Sequence, residues 1–256
     1  MAVWQKAAAL KNNPSLPVFL ILVVSFTSSL GFSIGQSNSS QSNHAAPVIM
    51  LAQGSTQNST DEVLALLEKL PVKGRAPKTG YSRAAFGPQW SDIDRNGCDT
   101  RNDILKRDLT NIVFREKTRD CVVESGTLLD PFSNSQIEFK RGEKTSFLVQ
   151  IDHVVSLSNA WQTGIFRASL KDRTLFANDP LNLLAVKGSL NSQKSDGDAA
   201  TWLPPYKPFR CKFVSIQVEV KSKYQLWVTK AEKDAILRVL NSTECRAISN
   251  SAKANK

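Results

Sequence analysis

The sequence predicts an α+β fold built as a single domain, on three observations. Apolar residues recur at helical spacing over Val63, Leu64, Leu66, Leu67 and Leu70, and again beyond Phe213. Between these two stretches lies a group of short β-prone runs set apart by turn residues such as Asp130-Pro131 and Arg141-Gly142. The 256 residues are 41% hydrophobic, with twelve Phe and five Trp, which is enough to bury a core and excludes a globally disordered chain. No internal repeat is visible.

In chain order, residues 1–35 read as a secretory signal or an N-terminal anchor. Lys6 and Lys11 precede the apolar run Val18 to Val24, and small polar residues follow. That run is short of the roughly 20 residues a spanning helix needs, so export is favoured over a retained anchor. The expected location is therefore secreted, periplasmic or at the cell surface. Residues 36–60, rich in Ser, Gln and Asn, read as a flexible linker. Residues 61–246 read as the folded domain and 247–256 as a disordered tail.

Within the domain, Thr60 and the acids Asp61 and Glu62 open a short amphipathic helix to Leu70. Residues 71–97, with Pro, Gly and aromatics, read as ordered loop. Thr100 to Asp103 reads as a capping box opening a helix through Leu109. Strands are expected at Ile112–Phe114, Cys121–Val123, Gln136–Phe139 and Phe147–Ile151, the last delivering Asp152-His153. Helical stretches follow around Ser158–Trp161 and Ala168–Phe176. Leu183–Val186 reads as a strand turned by Lys187-Gly188. Two further helices are expected, one over 213–224 and one from Thr229, whose Glu232 completes a capping box, to Leu240. Lys212, Lys221, Lys223 and Lys230 read as a solvated face in preference to phosphate contacts.

The formal net charge is +10, and from residue 61 onward 31 Lys+Arg still face 23 Asp+Glu. The excess belongs to the folded part and favours a polyanionic partner. The chain holds only two His, so a multi-His zinc site is excluded. His44 lies in the linker, leaving His153 as the sole His on an ordered element. Four cysteines, Cys98, Cys121, Cys211 and Cys245, suit two disulfides in an exported chain. Three pairings exist, and the sequence-local one, Cys98–Cys121 with Cys211–Cys245, is favoured. No Gly-x-Ser-x-Gly occurs, which argues against a serine hydrolase.

His153 ends an apolar strand directly after an acid. Neighbouring strand residues point to opposite faces, so Asp152 and His153 converge only where the strand ends or bends. A loop follows, and a bend is expected there. A buried core His beside an acid is the plain alternative. Downstream, Asn182 opens the second strand, and Asn191 opens the stretch Asn191-Ser192-Gln193-Lys194-Ser195-Asp196.

This ordered set, Asp-His, then Asn, then Asn-x-x-Lys-Ser-Asp, resembles the ββα-metal (His-Me finger) core of the HNH nucleases. It is most similar to the family that includes the C-terminal nuclease domain of GmrSD-type restriction enzymes. Gly74 to Pro77, Phe86 to Pro88, Asp94 to Asp103 and Asn191 to Pro205 look like its small exported bacterial members. The resemblance covers about residues 70–245. It implies a ββα-metal core flanked by extra strands and C-terminal helices. It implies an endonuclease in which His153 is the general base, with Asp152 and Asn191 as ligands of a single divalent metal, Mg²⁺ or Mn²⁺. Asn182 would brace the loop carrying His153. Lys194, and more weakly Arg141, would contact phosphate.

The chemistry is consistent with this. Phosphodiester hydrolysis needs an activated water and charge stabilisation, and oxygen ligands suit a hard cation. Lys and Arg would hold the phosphate backbone with little base readout. DNA is the favoured substrate and RNA the other. No dedicated protein partner is evident, and the sequence leaves the oligomeric state open. The competing function is a non-catalytic extracellular nucleic-acid-binding module.

Overall fold

The computed structural model describes residues 58–247; the signal, most of the linker, His44 and the tail beyond Ala247 lie outside the described residues. The element order is α1 (Thr60–Lys69), a 3₁₀ turn (Arg83–Phe86), α2 (Thr100–Asp108), β1 (Leu109–Phe114), β2 (Val123–Leu129), β3 (Gln136–Lys140) and β4 (Val149–His153). Then come α3 (Leu157–Gln162), α4 (Leu170–Ala177), β5 (Leu183–Lys187), α5 (Gly188–Lys194), α6 (Arg210–Lys223) and α7 (Lys230–Leu240). The architecture is mixed α+β, with a three-stranded antiparallel sheet β1-β2-β3 and a separate pair β4-β5.

The β4-β5 pair runs into α5 without a loop. Its register sets Val149 opposite Lys187, Ile151 opposite Ala185 and His153 opposite Leu183. Alternation sends Val149, Ile151, Leu183 and Ala185 to one face, where they join Ile104 and Leu105 of α2 and Val123 and Phe139 of the larger sheet. Val186 turns to the other face, into a larger cluster with Leu190 of α5 and Phe213 and Val214 of α6. The hairpin is thus covered on both faces.

Its outer edge is also covered, which removes unpaired strand groups from solvent. Asp108 accepts the Ala185 amide at 2.8 Å, and Asp130 accepts the Lys187 amide at 2.8 Å. Arg107 donates to the Pro180 carbonyl at 2.8 Å and the Leu183 carbonyl at 2.6 Å. At the start of α5, Gly188 sits so tightly that an added Cβ would lie 2.0 Å from the Phe147 carbonyl oxygen. Only a residue without a side chain fits there.

Several expectations shift. Helix α2 is capped by Asp99, whose carboxylate accepts the Asn102 amide at 2.8 Å, while the Thr100 hydroxyl turns to the Ser91 carbonyl. Strand β2 begins at Val123 and runs through Ser125-Gly126-Thr127, which look turn-like in sequence. Gly126 is closely packed: a Cβ there would lie 2.9 Å from the end of the Leu109 side chain of β1. Gly188 begins a helix instead of completing a turn. Lys221 is not on a solvated face: it is buried and pairs with the equally buried Glu232 at 2.7 Å. That same glutamate closes the capping box with Thr229.

Two disulfides, Cys98–Cys121 and Cys211–Cys245, close loops with sequence separations of 23 and 34. Chain-entropy reasoning gives each about 3–4 kcal/mol. The first ties the segment before α2 to the β1–β2 connection; the second ties α6 to the segment after α7.

Candidate active site

Strand β4 stays paired with β5 through His153, and the Val154 amide continues the ladder to the Asn182 carbonyl at 2.9 Å. The expected bend between Asp152 and His153 is therefore absent, and their side chains diverge to opposite faces of the hairpin. The pairing itself is the physical reason: a bend there would break the last rung of the ladder.

On one face, the His153 ring is half-buried and stacks on Trp90, with centroids 6.0 Å apart and planes 19° apart. Its Nε2 lies 2.8 Å from the Ala177 carbonyl oxygen. A carbonyl only accepts, so Nε2 carries the hydrogen, and in the neutral ring Nδ1 is left as an acceptor. Burial lowers the imidazole pKa to about 4; the Lys194 and Arg83 charges push the same way, against the Ala177 carbonyl. The ring is neutral at pH 7. It lines an open cleft with Arg83, Gln89, Trp90, Ala177 and Asn178.

On the other face, Asp152 is buried, its side chain 4% exposed, and its Oδ1 accepts Lys194 Nζ at 2.8 Å. The same ammonium donates to the His153 carbonyl at 2.8 Å. Asp152 Oδ2 is buried with no hydrogen-bond partner. Burial raises the Asp152 pKa, and the Lys194 charge only partly opposes it. Asn191 lies within α5, not at its start, and its amide nitrogen donates to Gln150 Oε1 at 2.9 Å. Gln150 shares the strand face of Asp152, so α5 brings Asn191 and Lys194 to the acid's side.

Asn182 is fully buried and grips the chain just past His153. Its Oδ1 accepts the Val155 amide at 2.8 Å, and its Nδ2 donates to the Val155 carbonyl at 3.1 Å. The turn before it is pinned by Asp179, which accepts from the Leu181 amide at 3.0 Å, Lys223 at 2.6 Å and the Tyr224 hydroxyl at 2.8 Å. Burial, helped by the Asp179 charge, pushes the Tyr224 hydroxyl pKa up, so it stays protonated and donates.

Lys194 and Arg141, expected to reach phosphate, are both engaged inside the protein. Lys194 is buried against Asp152. Arg141 donates to the Val123 carbonyl at 2.7 Å and to Asn102 Oδ1 at 2.5 Å, tying β3 to α2. The residues that reasoning from sequence missed are Arg83, Gln89 and Trp90, which come from the segment read only as ordered loop. The three-residue spacing of Arg83 and Phe86, flanked by Ser82 and Gly87, was the available signal of a capped turn.

Residues 99–239 match the family model described as the C-terminal domain of GmrSD restriction endonucleases. The chain belongs to that family. A secreted protein of Arthroderma benhamiae, named as uncharacterized, is 36% identical over 186 residues, covering 72% of this chain and 86% of the relative. No solved structure matches. The match to the GmrSD C-terminal domain spans the hairpin, α5 and everything from Asp152 to Lys194, whereas Arg83, Gln89 and Trp90 precede it.

Proposed function

We propose that this GmrSD-family chain is an extracellular endonuclease that hydrolyses phosphodiester bonds, with His153 as general base. One observation carries the reading: His153 lines an open cleft with Nε2–H fixed on the Ala177 carbonyl, which leaves Nδ1 as the ring's proton acceptor. A His used only for packing needs no such opening. An extracellular place is supported by the two disulfides and by the relative's description as secreted.

In the proposed reaction, a water in the cleft gives a proton to Nδ1 as its oxygen attacks phosphorus. The P–O bond to the leaving oxygen breaks, and that oxygen takes a proton from solvent. Asn182 keeps the chain beyond His153 from shifting, and Trp90 keeps the ring from rotating. With its pKa lowered to about 4, His153 is fully in the accepting form at pH 7 but is a weaker base than free imidazole.

A single divalent metal, Mg²⁺ or Mn²⁺, belongs to this reading. Among the described residues no group of three or more His, Cys, Asp or Glu forms a metal cluster. Asp152 nevertheless offers a buried carboxylate oxygen without a partner, and Asn191 an amide on the same side, so the donor chemistry fits a hard cation. These two residues would hold the metal, which would supply Lewis acidity when bound. Lys194 pairs with the other oxygen of Asp152 at 2.8 Å. DNA is the favoured substrate, by the family's restriction-endonuclease membership.

Plasmid nicking tests this, with Mg²⁺, Mn²⁺ or EDTA and with RNA offered alongside DNA. Metal-dependent cutting supports the reading. Binding without cutting under every condition refutes it in favour of a nucleic-acid-binding module.

A further inference from the structure

The proposed reaction leaves one need unmet: a cation on the His153 side of the hairpin to receive the phosphate. Most guanidiniums near the site are engaged. Arg107, Arg141 and Arg173 each donate to protein carbonyls. Arg83 is different. It lines the His153 cleft, is exposed, and among the described residues makes no hydrogen bond or ion pair.

Its mounting is rigid. The Ser82 hydroxyl accepts the Ala85 amide at 3.2 Å and caps the 3₁₀ turn. Phe86 is buried, with Trp161 and Phe176 rings each 6.1 Å away. Arg173 donates to the Ala85 carbonyl at 2.6 Å, tying the turn to α4. Gly87 closes the turn at φ +82, and a Cβ there would lie 2.3 Å from the Thr174 hydroxyl. The turn therefore packs tightly against α4 with a free cation on its exposed side.

We propose that Arg83 is the phosphate-binding residue of this site, its guanidinium holding the non-bridging oxygens of the scissile phosphodiester beside His153. The inference rests on the nuclease reading above. The chemistry matches: a planar guanidinium offers paired donors to two phosphate oxygens, and an unpaired one loses little when an anion arrives. A carboxylate partner would compete with phosphate, and none is present among the described residues.

The test compares wild type with Arg83→Ala and Arg83→Lys in the full chain. Three readouts are taken: cleavage of a DNA duplex with Mg²⁺ present, binding of the same duplex in EDTA across a salt series, and the thermal midpoint. For Arg83→Ala we expect kcat/KM to fall roughly 10²-fold or more, as for loss of a positioned transition-state donor. The slope of log affinity against log salt should shrink by about one contact. The midpoint should stay put, since among the described residues the side chain makes no hydrogen bond or ion pair to lose. Arg83→Lys should restore the salt slope but only part of the rate. Wild-type cleavage and an unchanged salt slope in Arg83→Ala would overturn the inference while leaving the nuclease reading standing. A wild-type chain that neither cuts nor binds nucleic acid overturns both.

Discussion

Replacing Lys194 by Met keeps the length of the side chain and removes its charge. In the native protein the ammonium is fully buried and serves two acceptors, Asp152 Oδ1 and the His153 carbonyl, each at 2.8 Å. Its loss leaves a carboxylate whose side chain is 4% exposed, and whose second oxygen already lacks a partner, with no compensating charge. Breaking a buried pair by removing one member costs about 3–5 kcal/mol. For a domain of this size that lowers the thermal midpoint by roughly 10 °C. The deficit depends on pH with a definite sign. Burial already holds the Asp152 pKa above its ordinary value, so the native state binds more protons there than the unfolded chain, and the penalty shrinks as pH falls. Adding Asp152→Asn to the variant removes the stranded charge and should recover stability, giving a coupling of about 2 kcal/mol or more between the two sites. Urea unfolding of the four species at pH 5 and pH 8 measures all of this. A Lys194→Met variant within about 1 kcal/mol of wild type at pH 8 would refute the buried ion pair.

Asn182→Ala strands both the amide and the carbonyl of Val155, which Asn182 now holds at 2.8 and 3.1 Å; urea unfolding should show a loss of about 2–4 kcal/mol, and cleavage should fall with it. With the His153 pKa lowered to about 4, kcat/KM should stay level from pH 8 to about pH 5 and drop below, whereas a fall centred at pH 6.5 would contradict the buried neutral ring. The same depression ties stability to pH: native His153 resists protonation that the unfolded chain accepts near pH 6.5, so on the order of 3 kcal/mol is lost as pH falls from 6.5 to about 4.

The helices were legible in the sequence where a cap and a periodic apolar face coincide. Thr229 and Glu232 mark the start of α7, and the apolar spacing from Val63 to Leu70 marks α1. Strand β2 was misplaced because Ser125-Gly126-Thr127 carries residues typical of turns, and Gly126 lies close to the Leu109 side chain of β1, a neighbour distant in sequence. The residues of the candidate site were legible as an ordered set in that Asp152, His153, Asn182, Asn191 and Lys194 all come to one hairpin and its helix. Its geometry was not. Whether two adjacent strand residues converge depends on pairing beyond the strand end, and here the Val154–Asn182 rung keeps Asp152 and His153 apart. Lys194 and Lys221 looked exposed because charge on a helix is usually solvated; each is buried by an acid that lies far off in sequence or faces it from the next helix. Arg83 and Trp90 reach His153 across about seventy residues of chain, which no local pattern encodes.

The central claim is that His153 is the group that takes the proton. Single-turnover cleavage of a DNA duplex by His153→Ala, with duplex binding measured on the same samples, tests it most directly. The account predicts a rate lowered by about 10²–10⁴-fold while binding is retained, because Arg83 and the basic surface are untouched. A His153→Ala protein that cuts at the wild-type rate would contradict it.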